Sequence, residues 1–289
     1  MSKKKIKKQH QPPQHQIKQP GLENEMQPKP IAEDVQYQGS NKLKDKIAVI
    51  TGGDSGIGRA VAIAYAKEGA KVVISYLNEH KDAKETQSLV REAGAECTLI
   101  AGNIAEEDFC QRIIDGTIKK FSQIDILVNN AAVQYPKEKI TDITKEQLLL
   151  TFSTNLFPFF YLVKAALPYM QSGSTIINST SVTAYKGNPQ LIDYSSTKGA
   201  IVSFTRSLAL SLLKRNIRVN AVAPGPVWTP LIPASFSAEK VAEFGEQVPM
   251  ERPGQPYEIA ACYVFLASRD SSYMTGQVLH PNGGVIVNG

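Results

Sequence analysis

A tyrosine and a lysine four residues apart are the pair with the clearest chemical use. Tyr194 and Lys198 lie in the run DYSSTKGA, and on a helix this spacing puts both side chains on one face. A phenol with a pKa of about 10 is a poor base at neutral pH, but an adjacent ammonium favours the phenolate and lowers that pKa. We therefore expect Tyr194 to donate and accept a proton, with Lys198 supplying the charge. The alternative is an ordinary surface pair.

A glycine-rich turn stands between the first apolar run and the first amphipathic stretch. It reads TGGDSGIGR, with glycines at Gly52, Gly53, Gly56 and Gly58. Glycine lets the backbone approach a pyrophosphate closely, and the helix that follows presents N–H groups and a partial positive charge. The spacing departs from GxGxxG, whose third glycine, counted from Gly56, would fall at Val61. A strained strand-to-helix connection without a ligand is the alternative.

Short apolar runs alternate with longer amphipathic stretches from Lys46 onward. This alternation is typical of a parallel sheet with helices on both faces, so we expect an α/β fold. The strand candidates are 46–51, 71–76, 97–102, 124–130, 174–180, 217–223 and 277–283. The helix candidates are 59–68, 81–93, 109–121, 145–171, 194–215 and 257–267. One sheet accounts for the chain from about residue 41 to its end.

The first 40 residues have a different composition. They hold few Ile, Leu, Val or Phe residues and many Gln, Pro and Lys, which predicts a polar extension, 1–40, that is a solvated, flexible arm. Its seven lysines and four acids supply +3 of the net charge of +5, so the remainder is too balanced to predict nucleic-acid binding. Contact of the lysine cluster with polyanions, or of residues 20–40 with a partner subunit, is the alternative.

Composition and spacing exclude several other classes. With 42% hydrophobic and 20% charged residues, the 289-residue chain is not collagen-like, coiled-coil or fully disordered. The apolar run 147–163 contains Thr151, Asn155 and Pro158, and the basic N-terminus lacks the apolar stretch of a secretory signal. Scattered cysteines and histidines predict no disulfide framework and no catalytic metal. We expect a soluble, cytoplasmic protein that contacts no membrane.

Several motifs follow one another in a fixed order. After TGxxxGxG come NNA at 129–131, Ser181, the YxxxK of Tyr194 and Lys198, and the pair Pro224–Gly225. In this combination the chain from about residue 41 to 289 resembles the short-chain dehydrogenase/reductase family. Within that family it is most similar to the bacterial group with an N-terminal extension, labelled glucose/ribitol dehydrogenase-like or general-stress oxidoreductases.

The resemblance implies the architecture. It predicts a single Rossmann-type, doubly wound catalytic domain over 41–289, with a seven-stranded parallel sheet flanked by helices. It also implies a homotetramer, because the C-terminal run GQVLHPNGGVIVNG resembles the part of the family that forms subunit contacts.

The resemblance also implies roles around the tyrosine. Ser181 falls where the family places the serine that hydrogen-bonds the substrate carbonyl or hydroxyl, while Ser179, within the predicted strand, is expected to be structural. Asn155 matches the asparagine that holds a water between Lys198 and solvent, or it is a hydrogen-bonded core residue. Lys198 is expected to bond the nicotinamide ribose as well. The implied catalytic set is therefore Asn155, Ser181, Tyr194 and Lys198.

The cofactor-binding residues come from the loops after the predicted strands. Besides Tyr194 and Lys198, the resemblance implies Gly52, Asp54, Ser55, Gly56, Ile57, Gly58, Tyr76, Leu77, Asn78, Asn103, Ile104, Asn130, Ala131, Pro224, Gly225, Val227 and Thr229.

The choice between NAD and NADP is expected at the end of the second strand. An acidic residue there accepts hydrogen bonds from the adenosine ribose, and a basic one favours a 2′-phosphate. Tyr76 and Leu77 are neither, and Ser55 in the glycine turn is also neutral, so NAD is the preferred prediction and NADP the alternative. Contact of Lys81, or of another base, with the phosphate would reverse this preference. Asn103 replaces the aspartate that commonly accepts a bond from the adenine amino group.

The predicted activity is interconversion of an alcohol and an aldehyde or ketone by hydride transfer, with a small-molecule substrate. The YxxxK spacing disfavours reduction of a carbon–carbon double bond, because the family's enoyl-thioester reductases have the two residues further apart. Residues 228–256 predict a mobile substrate lid. A non-catalytic, nucleotide-sensing or assembly protein on the same fold is the alternative from another class.

The predicted substrate cleft mixes polar and aromatic side chains. Sugars, polyols, small aldehydes and oxoacyl groups all remain candidates. The cleft residues are Gln134, Tyr135, Tyr185, Gln190 and Trp228, the last of which is alternatively a packing anchor.

Overall fold

Seven parallel strands form one sheet in the computed structural model, which describes residues 11–287. The strands are β1 Ile47–Thr51, β2 Lys71–Tyr76, β3 Cys97–Ala101, β4 Ile126–Asn129, β5 Thr175–Ser179, β6 Arg218–Val222 and β7 Val278–Leu279. They lie in the order β3-β2-β1-β4-β5-β6-β7. The predicted α/β class with a seven-stranded parallel sheet is confirmed.

Helices cover both faces of this sheet. They are α1 Gly56–Lys67, α2 His80–Glu92, α3 Glu107–Phe121, α4 Lys145–Asn155, α5 Phe157–Ala166, α6 Thr183–Lys186, α7 Ile192–Leu212, α8 Ala238–Ala242 and α9 Pro256–Ala267. Apolar residues of α1 and α9 form the core on one face, and those of α3, α5 and α7 form the core on the other. Because both faces are covered, every residue of β1, β4 and β5 is buried.

The order of the strands reverses between β1 and β4, since the chain adds β2 and β3 on one side of β1 and β4 to β7 on the other. Val49 of β1 pairs with Val73 of β2 on one side and with Leu127 of β4 on the other. Sheets wound in this way bind ligands in the crevice outside the carboxyl ends of the strands at that point. The glycine turn follows Thr51 at the end of β1, so the fold places it at the edge of this crevice.

The predicted continuous helix 145–171 is wrong, because the helix breaks at Leu156. Leu156 leaves helical geometry (φ −126°, ψ −51°), and α5 starts at Phe157 with Pro158, which has no N–H, in its first turn. By length and composition the stretch Lys145–Tyr169 is apolar enough to cross a membrane, a test that the core helix of a soluble protein also passes. A third of its apolar window is buried inside the protein, so the absence of a membrane contact stays a prediction.

The C-terminal strand also differs from expectation, whereas the mobile lid stays a prediction. β7 covers two residues rather than 277–283, because Pro281 cannot donate to the ladder and Gly283 turns the chain at φ +73°. Residues 228–256 contain the short helix α8, and a hydrophobic cluster joins the start of this region to Met26, far away in sequence.

The prediction that residues 1–40 form a solvated arm is wrong for the part that the structure describes. Met26 is 1% exposed and packs on Trp228, and Glu23 is also 1% exposed. Further along, Tyr37 donates a hydrogen bond to Glu68, and Lys67 pairs with Glu33. Composition misses these contacts because they use single polar side chains and one methionine rather than an apolar face. The lysine cluster 3–8 lies outside the described residues.

Candidate active site

A cavity of about 520 Å³ opens at the carboxyl ends of the strands. Its walls come from the loops after β1, β2, β3, β4, β5 and β6. The predicted site residues that line it are Gly52, Asp54, Ser55, Gly56, Ile57, Tyr76, Leu77, Asn103, Ile104, Asn130, Ala131, Ser181, Tyr194, Lys198, Pro224, Gly225, Val227 and Thr229. Three predicted residues, Gly58, Asn78 and Asn155, are not among its lining residues.

Ser181, Tyr194 and Lys198 meet at one end of the cavity. Ser181 follows β5, and the two other residues share one face of α7. Ser181 hydrogen-bonds the hydroxyl of Tyr194. The Lys198 ammonium donates to the Ser179 carbonyl at 2.9 Å and lies 5.4 Å from the centroid of the Tyr194 ring. Tyr194 and Lys198 therefore lie beside each other, as predicted.

Burial sets the protonation of this group. It raises the pKa of Tyr194 to about 12, with the bond from Ser181 acting in the opposite direction, and it lowers the pKa of Lys198 to about 7. The expected lowering of the Tyr194 pKa by the ammonium is absent from this geometry, because Lys198 lies over the ring and not at the hydroxyl. Tyr194 is consequently a neutral phenol at pH 7.

Asp193 anchors the start of α7, and sequence reasoning missed it. One oxygen of this buried carboxylate accepts the N–H of Tyr194 at 2.9 Å. The other accepts from Thr151 at 2.8 Å and from Gln147 at 3.0 Å, both on α4. Asp193 thus fixes the turn that carries Tyr194 to the neighbouring helix. An acid in the first turn of a helix is a common stabilising feature, and this position was the only feature of the sequence that pointed to Asp193.

The side chain of Asn155 is used inside the protein. Its Oδ1 accepts from the Val133 N–H and its Nδ2 donates to the Val133 carbonyl, each at 2.8 Å. Asn155 is fully buried, and this pairing satisfies an amide that would otherwise cost about 1–3 kcal/mol. Val133 lines the cavity, so Asn155 holds a wall of the site in place. The water-holding role implied by the resemblance stays a prediction.

Ser179 and Asn130, the residue after β4, stabilise the sheet edge. The Ser179 hydroxyl bonds the Tyr263 hydroxyl at 2.6 Å and the Asn130 oxygen at 3.1 Å, as expected of a structural residue. Asn130 donates to the carbonyls of Thr51 and Gly52, which ties β4 to the glycine turn. The backbone beside Asn130 and Ala131 is thereby fixed as a cavity wall.

The glycine turn is shaped for close backbone approach. Gly52 has φ +61°, and a Cβ there would lie 3.0 Å from Cα of Ala131. A Cβ on Gly58 would clash with the Gly52 carbonyl, which explains why Gly58 serves the turn without lining the cavity. This cradle of glycine backbone at the switch point, open to a cavity that runs on to Tyr194, fits a nicotinamide dinucleotide.

The helix N-terminus behind this turn already has a partner from the extension. The carboxylate of Glu23 accepts the Gly56 N–H at 2.6 Å and pairs with Arg59 at 2.6 Å. Burial raises the pKa of Glu23, while Arg59 and the Gly56 N–H act against that rise. The expectation that the N–H groups of α1 are all open to a pyrophosphate is therefore wrong for Gly56.

Two carboxyl groups lie at the far end of the cavity, beside Tyr76. Asp54 and Glu79 both line it and are 5% and 4% exposed. Burial, followed by the charge of Glu79, raises the pKa of Asp54 to about 7. Asn78, predicted to line this corner, is exposed instead, and its N–H donates to the Glu79 carboxylate at 3.1 Å. Lys81 bonds Asn24 of the extension at 3.3 Å.

Asn103 keeps its place in the cavity wall with part of its amide already used. Its Oδ1 accepts the Ala105 N–H at 3.0 Å and closes the turn before α3. The predicted contact of this oxygen with an adenine amino group would have to share it with that turn.

The predicted cleft residues divide into two groups. Gln134 and Tyr135 line the cavity, whereas Tyr185, Gln190 and Trp228 are not among its lining residues. Tyr185 packs edge-on against His280, with ring centroids 4.6 Å apart. Gln190 donates to Glu138 and accepts from Lys240. Trp228 is fully buried, which supports the alternative of a packing anchor.

Comparison with known proteins places this site in a family. The family model described as "Enoyl-(Acyl carrier protein) reductase" matches residues 52–286. "General stress protein 39" of Bacillus subtilis (strain 168) is 59% identical over 276 residues, which cover 96% of each chain. "Glucose and ribitol dehydrogenase" of Daucus carota is 54% identical over 284 residues, covering 96% of this chain and 98% of the relative.

Two further matches bear on the cofactor. "NADPH-dependent aldehyde reductase 1, chloroplastic" of Arabidopsis thaliana is 52% identical over 282 residues, covering 95% of this chain and 98% of the relative. A crystal structure of a short-chain dehydrogenase from Burkholderia cenocepacia J2315, in complex with NADP, superimposes with a TM-score of 0.79 at 26% identity, covering 84% of this chain and 98% of that one. The chain is therefore an oxidoreductase of the short-chain dehydrogenase/reductase family.

Proposed function

We propose that this protein interconverts an alcohol and an aldehyde or ketone, with Tyr194 as the proton donor and acceptor. The observation that carries the proposal is the meeting of Ser181, Tyr194 and Lys198 at the end of a cavity whose other end is a glycine cradle. A bound nicotinamide cofactor supplies or takes up the hydride. Gly52, Ile57 and the loop from Pro224 to Thr229 are the groups proposed to hold it.

The side chains divide the remaining work of carbonyl reduction. Ser181 hydrogen-bonds the substrate oxygen and orients it towards Tyr194. Tyr194, neutral at pH 7, passes its proton to the oxygen as negative charge develops there. Lys198 lies over the Tyr194 ring and makes no bond to the hydroxyl, so its charged form is proposed to act on the phenolate only as a nearby positive charge, held in place by the bond to the Ser179 carbonyl. Alcohol oxidation uses the same groups in reverse.

The names of the relatives support carbonyl and alcohol chemistry. They include a glucose and ribitol dehydrogenase and an aldehyde reductase, whereas the matching family model is described as an enoyl reductase. The four-residue spacing of Tyr194 and Lys198 favours the first chemistry. The polar residues Gln134, Thr183 and Asn188 in the cavity wall are compatible with a hydroxylated substrate.

Replacement of the two tyrosines tests the mechanism. Tyr194→Phe removes the transferable proton and leaves the ring, so turnover of an aldehyde or polyol substrate should fall by about 10²–10⁴-fold while NADH binding is retained. Tyr185→Phe is the matched control, because its hydroxyl lies outside the cavity lining. Turnover in Tyr194→Phe equal to that of the control would contradict the mechanism.

We propose NAD rather than NADP as the preferred cofactor. The support is the carboxyl pair Asp54 and Glu79, since a 2′-phosphate bound beside Tyr76 would face two acids. The relative named as NADPH-dependent and the neighbour in complex with NADP favour NADP, which is the alternative. Glu79→Gln should tighten NADPH binding several-fold and leave NADH binding nearly unchanged. An unchanged NADPH dissociation constant would contradict this role of Glu79.

We propose that the protein assembles as a homotetramer. The support is an exposed apolar surface on α4 and α5, which includes Leu148, Leu149, Phe157 and Phe160, exposed by 39–53%. Sedimentation of the purified chain should give a mass near four times 31.6 kDa. Phe160→Glu should shift it to smaller species, and a monomeric wild-type protein would refute the assembly.

A further inference from the structure

Residues 14–28 fold back on themselves to form a closed loop, which we call the N-terminal clasp. The Gln16 side chain accepts the Leu22 N–H at 2.7 Å and donates to the Leu22 carbonyl at 2.8 Å. Gln14 makes the same kind of two-way contact with the backbone of Gln27. The loop closed by Gln16 and Leu22 brings its tip, Gln19 to Gly21, to the cavity, where all three tip residues form part of the lining.

One side of the clasp is fixed to the glycine turn and its helix. Glu23 binds the Gly56 N–H and Arg59, each at 2.6 Å. Its own N–H donates to Asp82 on α2 at 2.8 Å, and Arg59 also donates to the Asp54 carbonyl at 3.0 Å. All of these charged side chains are nearly or fully buried. The contacts join the clasp to the part of the cavity that cradles the dinucleotide.

The other side of the clasp is fixed to the loops after β4 and β6. The Gln19 amide accepts the Gln134 N–H at 3.1 Å and donates to the Gln134 carbonyl. Gln16 donates its N–H to the Pro233 carbonyl at 2.8 Å, and Trp228 donates to the Pro28 carbonyl at 2.9 Å. Gly21 lies so close to this side that a Cβ on it would clash with the Pro230 carbonyl.

These contacts attach the clasp to two sides of the cavity. We propose that the N-terminal clasp is a wall of the cofactor site that must open before the dinucleotide leaves, and that Glu23 and Gly21 are the positioning residues that hold it closed. The inference rests on the proposed function, because it concerns the same cofactor. It assigns the extension a role in cofactor retention.

The rate of cofactor release tests the proposal. NADH is bound to the full-length protein and displaced with excess NAD⁺ in a stopped-flow instrument, and the loss of NADH fluorescence gives the dissociation rate constant. Glu23→Gln weakens the bond to Arg59, and Gly21→Ala pushes the tip away from Pro230 without touching that ion pair. Each should raise the dissociation rate by about tenfold, since changes at one binding surface act mainly on dissociation.

Glu25→Gln is the matched control, because Glu25 is exposed and lies two residues from Glu23. Melting temperatures of the unliganded proteins separate retention from stability: Glu23→Gln is expected to lower the melting temperature, and Gly21→Ala much less. The proposal is supported if both variants release NADH faster although only one of them is less stable. Dissociation rates that match the control in both variants would overturn it.

Hydrogen exchange supplies a readout that is independent of release. Amides of residues 14–28 should exchange more slowly with NADH bound than without it, and this protection should shrink in Gly21→Ala. Unchanged exchange of this segment on binding would overturn the proposal. Failure of the wild-type protein to bind NADH or NADPH would refute the proposed function together with the clasp, whereas tight binding with unaltered release refutes the clasp alone.

Discussion

The proposed catalytic end of the cavity, with Ser181, Tyr194 and Lys198, and the N-terminal clasp both contribute to the cavity lining, but they are held in different ways. Ser181 directly follows β5, and Tyr194 and Lys198 lie on α7; the sheet and the hydrophobic core beneath it fix the positions of both elements. The clasp has no strand and only a three-residue 3₁₀ helix among residues 11–40. A buried ion pair, paired glutamine amides and Met26 hold it instead.

This difference shows how one site can hold some residues firmly in place and leave others able to move. Regular elements share their hydrogen bonds with a whole sheet, so moving Tyr194 would require disturbing the core. The clasp depends on a few separate contacts, and breaking two or three of them would free it. A site that must hold reacting groups still and yet exchange its cofactor can use both kinds of support.

Removing Arg59, the cation of α1 that binds Glu23 of the clasp, should have the largest effect on stability. Arg59→Met leaves Glu23 and Asp82 buried without their cation, so the free energy of unfolding should fall by about 3–5 kcal/mol. Arg91→Met, at an exposed position of α2, should change it by less than about 0.5 kcal/mol. Denaturant unfolding measures both values. Equal stabilities of the two variants would show that the ion pair does not hold the extension.

The catalytic end should respond to pH through Lys198. Burial lowers the pKa of Lys198 to about 7, so its ammonium is present below that pH and is lost above it. If that charge stabilises the tyrosinate formed during reduction, the rate of carbonyl reduction should fall by up to about tenfold per pH unit above pH 7. The measurement is kcat for reduction at saturating cofactor from pH 6 to 9. A kcat that does not change between pH 6 and 9 would show that the charge of Lys198 takes no part in the mechanism.

A smaller effect is expected at Asp54, at the far end of the cavity beside Tyr76. Burial and Glu79 raise its pKa to about 7, so the carboxyl is ionised above this pH and neutral below it. The charge that opposes a 2′-phosphate therefore weakens as the pH falls. The preference for NADH over NADPH should shrink a few-fold between pH 8 and pH 6, measured as a ratio of dissociation constants. A preference that grows on acidification would contradict the role of Asp54.

The catalytic end was predictable because its motifs are local and its elements are regular. The four-residue spacing of Tyr194 and Lys198 needs only a helix, and the strand pattern was enough to predict the parallel sheet whose loops line the cavity. The same pattern failed at Leu156, where the Asn155 side chain and Pro158 interrupt a periodic apolar run.

The clasp was not predictable for a physical reason. Glu23 is held by hydrogen bonds to Arg59 and Gly56, and Gln19 is held by the backbone of Gln134. Each of these contacts joins positions far apart in the chain. A polar, proline-rich composition predicts disorder when no buried partner is known. Asp54 and Glu79 were overlooked as a pair in the same way, since only the fold brings the glycine turn next to the end of β2.

Calorimetric titration of the unmodified protein with NADH and, separately, NADPH at pH 8 and fixed ionic strength is the most direct test of the central claim. We expect both to bind at one site per chain, with NADH tighter by about tenfold because Asp54 and Glu79 oppose the additional phosphate. A preference for NADPH would contradict the proposed cofactor choice. Binding of neither nucleotide would contradict the assignment of this cavity as the site of a nicotinamide-dependent oxidoreductase.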